Sequence, residues 1–389
     1  MRNLNLRTWA RSILLAALLL LSAACRANEF QVPPNTADGW QVGTLDEVGL
    51  DEKPIAQALQ RIDSGRYADV HSLLIVKDGL LVVEEYFPGH AWRYDAEHFQ
   101  GPYTEFDRDT LHTIMSVTKA FTSAVVGIAV EQEAIGSEQD PVFDYFPEYQ
   151  QLRTPQKEAL TVEHLLTMTS GLQWNEWEYP LSDTRNDLIQ LWIVDDPVHY
   201  ILDKPLVHQP GSSWYYSGGD VILLGEIIQE STGQLISQYA AEQFFEPLGI
   251  TEYEWHFIDP DTVHASGDLM LRPRDMAKLG YVLLNDGQWQ EEQILSPDWV
   301  EKTTSSYIDT PAPGNGEEYG YQWWHMTFPS EAGPVETLHR SGWGGQDLYL
   351  FPDLDLLVAM TGGNYEEQSP NNDIVTQHII PAVQALNIP

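Results

Sequence analysis

The chain has 389 residues and 43% hydrophobic content, enough to bury one large core or two intimate ones and too apolar for a disordered protein. Acidic residues number 58 against 20 basic ones, giving a formal charge of −38. So acidic a surface disfavours nucleic acid and anionic membrane, both polyanions, and its ordinary meaning is a solvated acidic shell.

Residues 1–25 read as a signal peptide outside the folded domain of residues 26–389. Arg2, Arg7 and Arg11 form a basic start, Ile13 to Leu21 is a short apolar run, and Ser22-Ala23-Ala24 supplies small residues. Cys25 is the only cysteine, so no internal disulfide can form. Its place after Ala23-Ala24 resembles a bacterial lipoprotein cleavage site, where that cysteine is lipidated. Two outcomes stay open: a lipid anchor at Cys25, or cleavage after Ala27 and a free protein. Both predict export, to the periplasm or to a bacterial membrane surface.

Residues 28–50 are rich in Pro, Asn and Gly and predict a surface wrap. Ile55, Leu59 and Ile62 at helical spacing predict a helix from Glu52 to Ser64. Ser72–Val76 and Leu80–Tyr86 flank Lys77-Asp78-Gly79, a hairpin signal, and their near-continuous apolar character predicts a sheet covered on both faces. Trp92 to Arg108 reads as loop. Thr161 predicts a cap for a helix carrying Leu165, Leu166 and Met168 and ended by Gly171. Asn186 to Val194 and Val221 to Glu230 read as further helices, the latter ended by Gly233. Residues 267–287 read as one helix with Leu269, Met270, Met276, Leu279, Val282 and Leu283 on its apolar face. Trp299 to Ser305 continues that layer, and residues 309–318 read as an exposed loop. Asp347–Phe351 and Leu356–Thr361 around Pro352-Asp353 predict a second hairpin, and Asp373 to Leu386 a last helix.

Three clusters carry chemistry. Ser116-Val117-Thr118-Lys119 opens the apolar run Ala120 to Val130, with Gly136 beyond it. Residues three apart share a helix face, so Ser116 Oγ and Lys119 Nζ can meet. A serine hydroxyl needs such a neighbour to become a nucleophile, and a lysine in an apolar helix root loses its proton more easily than a solvated one. A free N–H at the helix start suits a developing oxyanion. Alone, the motif also occurs by chance. Second, Gln209 to Gly219 carries Tyr215 and Tyr216 ahead of a helix, where a phenol near a cationic lysine can act as acid or base. Packing is the commoner role of two adjacent tyrosines. Third, His339-Arg340-Ser341-Gly342-Trp343-Gly344-Gly345-Gln346 precedes the second hairpin, and its glycines admit a close backbone approach. The aromatic stretch Leu172 to Pro180, with Trp177 and Tyr179, reads equally as a packed loop or a pocket wall. Twelve histidines are scattered with no metal spacing, and no G-x-S-x-G elbow is present, so neither a metal site nor an α/β-hydrolase is indicated.

In this order the three clusters resemble the serine β-lactamase and penicillin-binding-protein superfamily. The segment Pro210-Gly211-x-x-Trp214-x-Tyr216-Ser217, followed by Leu224-Gly225-x-Ile227-Ile228 and Thr232-Gly233, is similar to its class C-like branch, which includes esterases, D-amino-acid peptidases and 6-aminohexanoate-dimer hydrolase. The resemblance spans roughly residues 45–385. It implies an α+β fold: an antiparallel sheet built from both chain ends, flanked by helices, with an inserted mostly helical subdomain over about 130–290 and the site in the cleft between. It implies Ser116 as acylated nucleophile, Lys119 as its base or proton stabiliser, and Tyr216 as proton relay to the leaving group. Arg340-Ser341-Gly342 stands where the family has Lys-Thr-Gly, and the oxyanion hole would be the N–H of Ser116 and an N–H near Trp343.

Two departures matter. Gly218 replaces the Asn of Tyr-x-Asn, and Arg340 replaces Lys, which is not an equivalent residue. Both disfavour efficient β-lactam turnover. Trp343-Gly344-Gly345-Gln346 and Ser182-Asp183-x-Arg185-Asn186-Asp187 look more like the esterase and dimer-hydrolase relatives. The resulting expectation is an exported serine hydrolase of small esters or amides, without metal or organic cofactor. The alternatives are a β-lactamase or D,D-peptidase, and a non-catalytic binding or sensor module. The sequence does not set the oligomeric state.

Overall fold

Nine strands from the two ends of the chain hydrogen-bond into one sheet in this computed structural model, which describes residues 30–311 and 317–383. The signal segment and Cys25 lie outside the described residues. From the first part of the chain come β1 (Gln41–Val42), helix α1 (Glu52–Asp63), β2 (Val70–Lys77) and β3 (Leu80–Tyr86). A small hairpin follows, β4 (Gly89–Trp92) and β5 (Gln100–Thr104), then β6 (His112–Thr113) and helix α2 (Thr118–Glu131). The middle of the chain supplies α3 (Val162–Leu166), α4 (Gly218–Thr232), β7 (Tyr253–Trp255), β8 (Leu269–Leu271), α5 (Pro273–Leu284) and α6 (Pro297–Thr303). The end returns to the sheet with β9 (Ile308–Asp309), β10 (Glu318–Tyr319), β11 (Trp324–Phe328), β12 (Val335–Gly342), β13 (Gln346–Phe351) and β14 (Leu356–Gly362).

The sheet order is β1-β3-β2-β14-β13-β12-β11-β10-β9. The two expected hairpins therefore meet at its centre, where β14 pairs antiparallel with β2 (Val358 opposite Ile75). Asp78 and Gly79 both take positive φ, 51° and 77°, the turn whose twist matches its flanking strands. Val70 to Val76 are all buried, as their apolar run requires of a sheet covered on both faces. One core layer under the sheet centres on α2, which is buried on every side from Thr118 to Ala129 and packs on α4. The other face is covered by α1 and the C-terminal helical turns.

Several local expectations are corrected. The loop expected from Trp92 to Arg108 contains β5, with His90 opposite Tyr103 in the β4–β5 hairpin. The helix expected over 267–287 is a strand and a helix: β8 pairs with both β6 and β7, and Pro273 then starts α5. Long-range pairing with His112-Thr113 and Tyr253–Trp255 overrides the helical periodicity there. Helix α3 stops at Leu166 because Met168 turns to φ +55°. Only Asp187–Gln190 of the 186–194 stretch is α-helical. Residues 309–318 include ends of the short strands β9 and β10, with 312–316 outside the described residues. The last helix starts earlier, at Asn371, and reaches Ala382 through a wider turn at Val375–Ile379; Gln384 to Leu386 lie outside the described residues. No described helix is long and apolar enough to cross a membrane.

Candidate active site

Ser116 lies in a single 3₁₀ turn, Met115–Val117, directly ahead of α2. Met115 takes φ +45°, a costly conformation for a residue with a side chain, worth about 1–3 kcal/mol. That bend projects Ser116 from an otherwise buried element. Lys119, one turn on, is 1% exposed. Its Nζ donates to Ser116 Oγ at 3.1 Å and to the Ser266 carbonyl at 2.6 Å. The carbonyl is held there because the strap before β8 is pinned to α2: Thr122 donates to the Ala265 carbonyl, and the Leu269 N–H donates to Thr118.

Tyr216 approaches from the N-terminus of α4, where Ser217 caps the helix by accepting from the Asp220 N–H. Its ring stands 5.0 Å from Lys119 Nζ. Burial alone would raise this phenol's pKa. The Lys119 and Arg340 cations and a hydrogen bond with Ser116 outweigh that, and the net direction is below the ordinary tyrosine value. The Asp220 carboxyl beneath it is pushed by burial up to about 7, against hydrogen bonds from Ser170 and Ser217.

The third side is the end of β12. Arg340 is fully buried, with Nε and one terminal nitrogen donating to the Ser116 carbonyl at 2.8 and 2.6 Å. The other terminal nitrogen donates to the Tyr319 hydroxyl and the Gln322 carbonyl, while the terminal nitrogen on the Ser116 carbonyl also makes a weak 3.4 Å contact with the Tyr216 hydroxyl. The guanidinium thus clamps the nucleophile's own backbone and lends charge to Tyr216. Gly342 runs so close to the serine turn that a Cβ there would sit 2.6 Å from the Ile114 carbonyl oxygen and 3.0 Å from Ser116 N. Ser341 pairs with Asp347 across the β12–β13 hairpin. Trp343 anchors its indole N–H on the Tyr365 carbonyl at 2.8 Å and packs among Trp92, Phe99 and Tyr365.

The aromatic loop closes the fourth side. Trp177 stacks on the Tyr216 ring, while Tyr179 carries the Arg185 guanidinium 4.0 Å above its ring. The structure therefore gathers Ser116, Lys119, Tyr216, Arg340, Gly342 and Trp177 in one place. Sequence reasoning missed Ser266, Tyr319, Gln322 and Glu176. The first three act through a carbonyl or across a long separation and leave no local pattern. Glu176 sat within the aromatic loop, but nothing marked it apart from the neighbouring Glu178. No cluster of three His, Cys, Asp or Glu side chains with metal-holding geometry occurs among the described residues.

The chain has relatives both in sequence and in fold. Over 401 aligned residues the chain is 27% identical to an Escherichia coli K12 protein named "Putative D-alanyl-D-alanine carboxypeptidase", covering 90% of each chain. Its fold is shared with a Bacillus anthracis structure titled "Putative 6-aminohexanoate-dimer hydrolase" (TM-score 0.65, 21% identity, 82% of this chain and 80% of that one). It is shared also with a family VIII carboxylesterase (TM-score 0.64, 17% identity, 90% of this chain and 100% of the other). The β-lactamase family model matches residues 69–375. That match spans most of the chain, which belongs to the β-lactamase family and is a serine hydrolase.

Proposed function

We propose that this hydrolase cleaves a small ester or amide through an acyl-enzyme on Ser116 and acts outside the cytoplasm. One observation carries the chemical part: Ser116 Oγ stands beside Lys119 Nζ and the buried Tyr216, whose phenol two cations draw below its usual pKa. Tyr216 takes the Ser116 proton as Oγ attacks the carbonyl, and Lys119 and Arg340 stabilise the phenolate. The N–H groups of Ser116 and Trp343 receive the oxyanion. The C–O or C–N bond then breaks, and Tyr216 returns its proton to the leaving group. In the second half a water gives a proton to the same phenolate, attacks the ester, and releases Ser116 as the hydroxyl. The basic, apolar, small-residue pattern of residues 1–25 supports the location.

The test is mass spectrometry after a fluorophosphonate probe, beside turnover of p-nitrophenyl butanoate. A single adduct on Ser116 with ester release is expected. Ser116→Ala should lose both, by at least about 1,000-fold in turnover, with an unchanged melting temperature. An unlabelled, folded wild type would leave the binding-module alternative. The named Escherichia coli relative supports a second substrate class, D-alanyl-D-alanine peptides, and release of D-alanine faster than ester turnover would favour it.

A further inference from the structure

The turn that carries the chain from β12 through Trp343 into β13 has each of its carbonyls tied down. The Gly342 carbonyl accepts from the Gly345 N–H at 3.2 Å, and the Gly344 carbonyl from the Asn364 N–H at 3.0 Å. The Trp343 carbonyl accepts from Gln346 Nε2 at 3.2 Å, and the Gly345 carbonyl from Asn371 Nδ2 at 3.1 Å. The Trp343 N–H, by contrast, donates to no protein atom among the described residues. A tightly held turn thus presents one free donor.

These bonds decide where that donor points. A trans peptide sets its N–H opposite its carbonyl. The Gly342 carbonyl is drawn into the turn toward β13, so the Trp343 N–H points to the other edge of β12. That edge is open there, because β11 pairs with β12 only as far as Trp324 opposite His339. The serine turn lies beside it, with Arg340 on the Ser116 carbonyl and Gly342 close to Ser116 N. Gln346 is fully buried, so its amide cannot turn to water. Nε2 donates its second N–H to the Gly362 carbonyl at 2.7 Å, and Oε1 accepts from the Gly362 N–H at 3.2 Å. Both donors of the amide are therefore engaged, one on Trp343 and one on the end of β14. Freed from Gln346, the Trp343-Gly344 peptide can rotate, and the backbone of Trp343 with it.

We propose that Gln346 is the positioning residue of the oxyanion site: its buried amide bridges Trp343 to β14 and so holds the Trp343 N–H at the open strand edge beside Ser116. The inference rests on the hydrolase reading of Ser116, with Trp343 as the second oxyanion donor. Gln346 touches neither the substrate nor the reacting atoms and acts through the backbone of Trp343. Its loss weakens stabilisation of the charge that develops in the transition state and leaves ground-state binding of the ester nearly unchanged.

The experiment compares wild type with Gln346→Met, which keeps the length of the side chain and removes the amide's hydrogen bonds. The substrates are p-nitrophenyl butanoate and its thionoester, O-p-nitrophenyl thionobutanoate, in which the carbonyl oxygen is replaced by sulfur, a weak acceptor. Gln346→Met should lower kcat on the oxoester about 30-fold or more with KM within about threefold of wild type, the pattern of a donor misplaced in the transition state. The thionoester draws little on that donor and should lose much less, so the oxygen-to-sulfur ratio of kcat/KM should fall about tenfold or more. A merely structural role slows both esters alike, and an unchanged ratio overturns the proposal. Should Gln346→Met fail to fold, Gln346→Glu takes its place: it keeps the shape but has at most one donor for two carbonyls, and the same fall in the ratio is expected. Fluorophosphonate labelling of the wild type separates the two readings. A labelled Ser116 with a ratio that neither substitution moves removes the role of Gln346 alone, whereas an unlabelled Ser116 removes the hydrolase reading and this inference with it.

Discussion

Trp177 lies nearly flat on Tyr216, with ring centroids 4.9 Å apart and planes 20° apart. The tryptophan is 43% exposed, so it shields one face of a buried phenol from bulk water while itself bordering solvent. Removing it lets water screen the cations that hold the phenol's pKa down. Trp177→Ala is expected to lower kcat/KM about tenfold and to move the acidic limb of its pH profile upward. Its cost in stability should stay near 1 kcal/mol, the scale of one aromatic pair. Esterase pH profiles and a thermal melt check both, and Trp177→Phe should recover part of the loss.

The contact between β12 and the serine turn leaves no space for a methyl group. Gly342→Ala puts a carbon 2.6 Å from the Ile114 carbonyl oxygen and 3.0 Å from Ser116 N, and backbone must move to relieve it. The displaced strand carries Arg340 and leads into Trp343. Turnover should fall by about 100-fold or more, the scale of losing one oxyanion donor. Fluorophosphonate labelling of Ser116 should slow in parallel. Wild-type rates would show that the strand end is not part of the oxyanion site.

Glu226 is buried in α4 and its carboxyl is pushed up to about 8, first by burial and then by Asp259, Glu230, Asp196 and Asp261. A raised carboxyl pKa means that the folded chain keeps a proton the unfolded chain has lost. Stability from this group therefore falls as pH rises from about 4.5 to about 8. Glu226→Gln should stabilise the protein by about 2–4 kcal/mol at pH 9 and leave it nearly unchanged at pH 4. Denaturant titrations at the two pH values measure this directly. The buried pair His71–His112 works in the other direction. Burial first, then the neighbouring histidines, lowers His71 to about 3. Burial lowers His112 to about 4. Their contribution is full above about 6.5 and is lost as pH falls toward those values.

Much of the site was legible because its signals are local. Ser116 and Lys119 meet through helical spacing, and Tyr216 precedes a capped helix whose end Gly233 marks with φ +73°. The two central hairpins announced themselves by turn residues between apolar runs. What stayed hidden depends on partners distant in sequence. Leu269–Leu271 looks helical until its neighbours across the small sheet are known. Arg340 could be placed beside the serine by its motif, but the motif does not say that its guanidinium turns onto the Ser116 carbonyl. Glu176 reaches Gly218 across a loop with no regular structure, where spacing carries no information.

The seam between β2 and β14 also sets how this chain must come together. The central strand pair joins Val70–Lys77 to Leu356–Gly362, so the sheet cannot close until nearly the whole polypeptide is available. Contacts of such sequence separation make folding slow, and they leave the early hairpin with an open, apolar edge in the meantime. A ribosome-stalled or C-terminally truncated chain lacking β14 would expose that edge and self-associate rather than persist as a smaller folded unit.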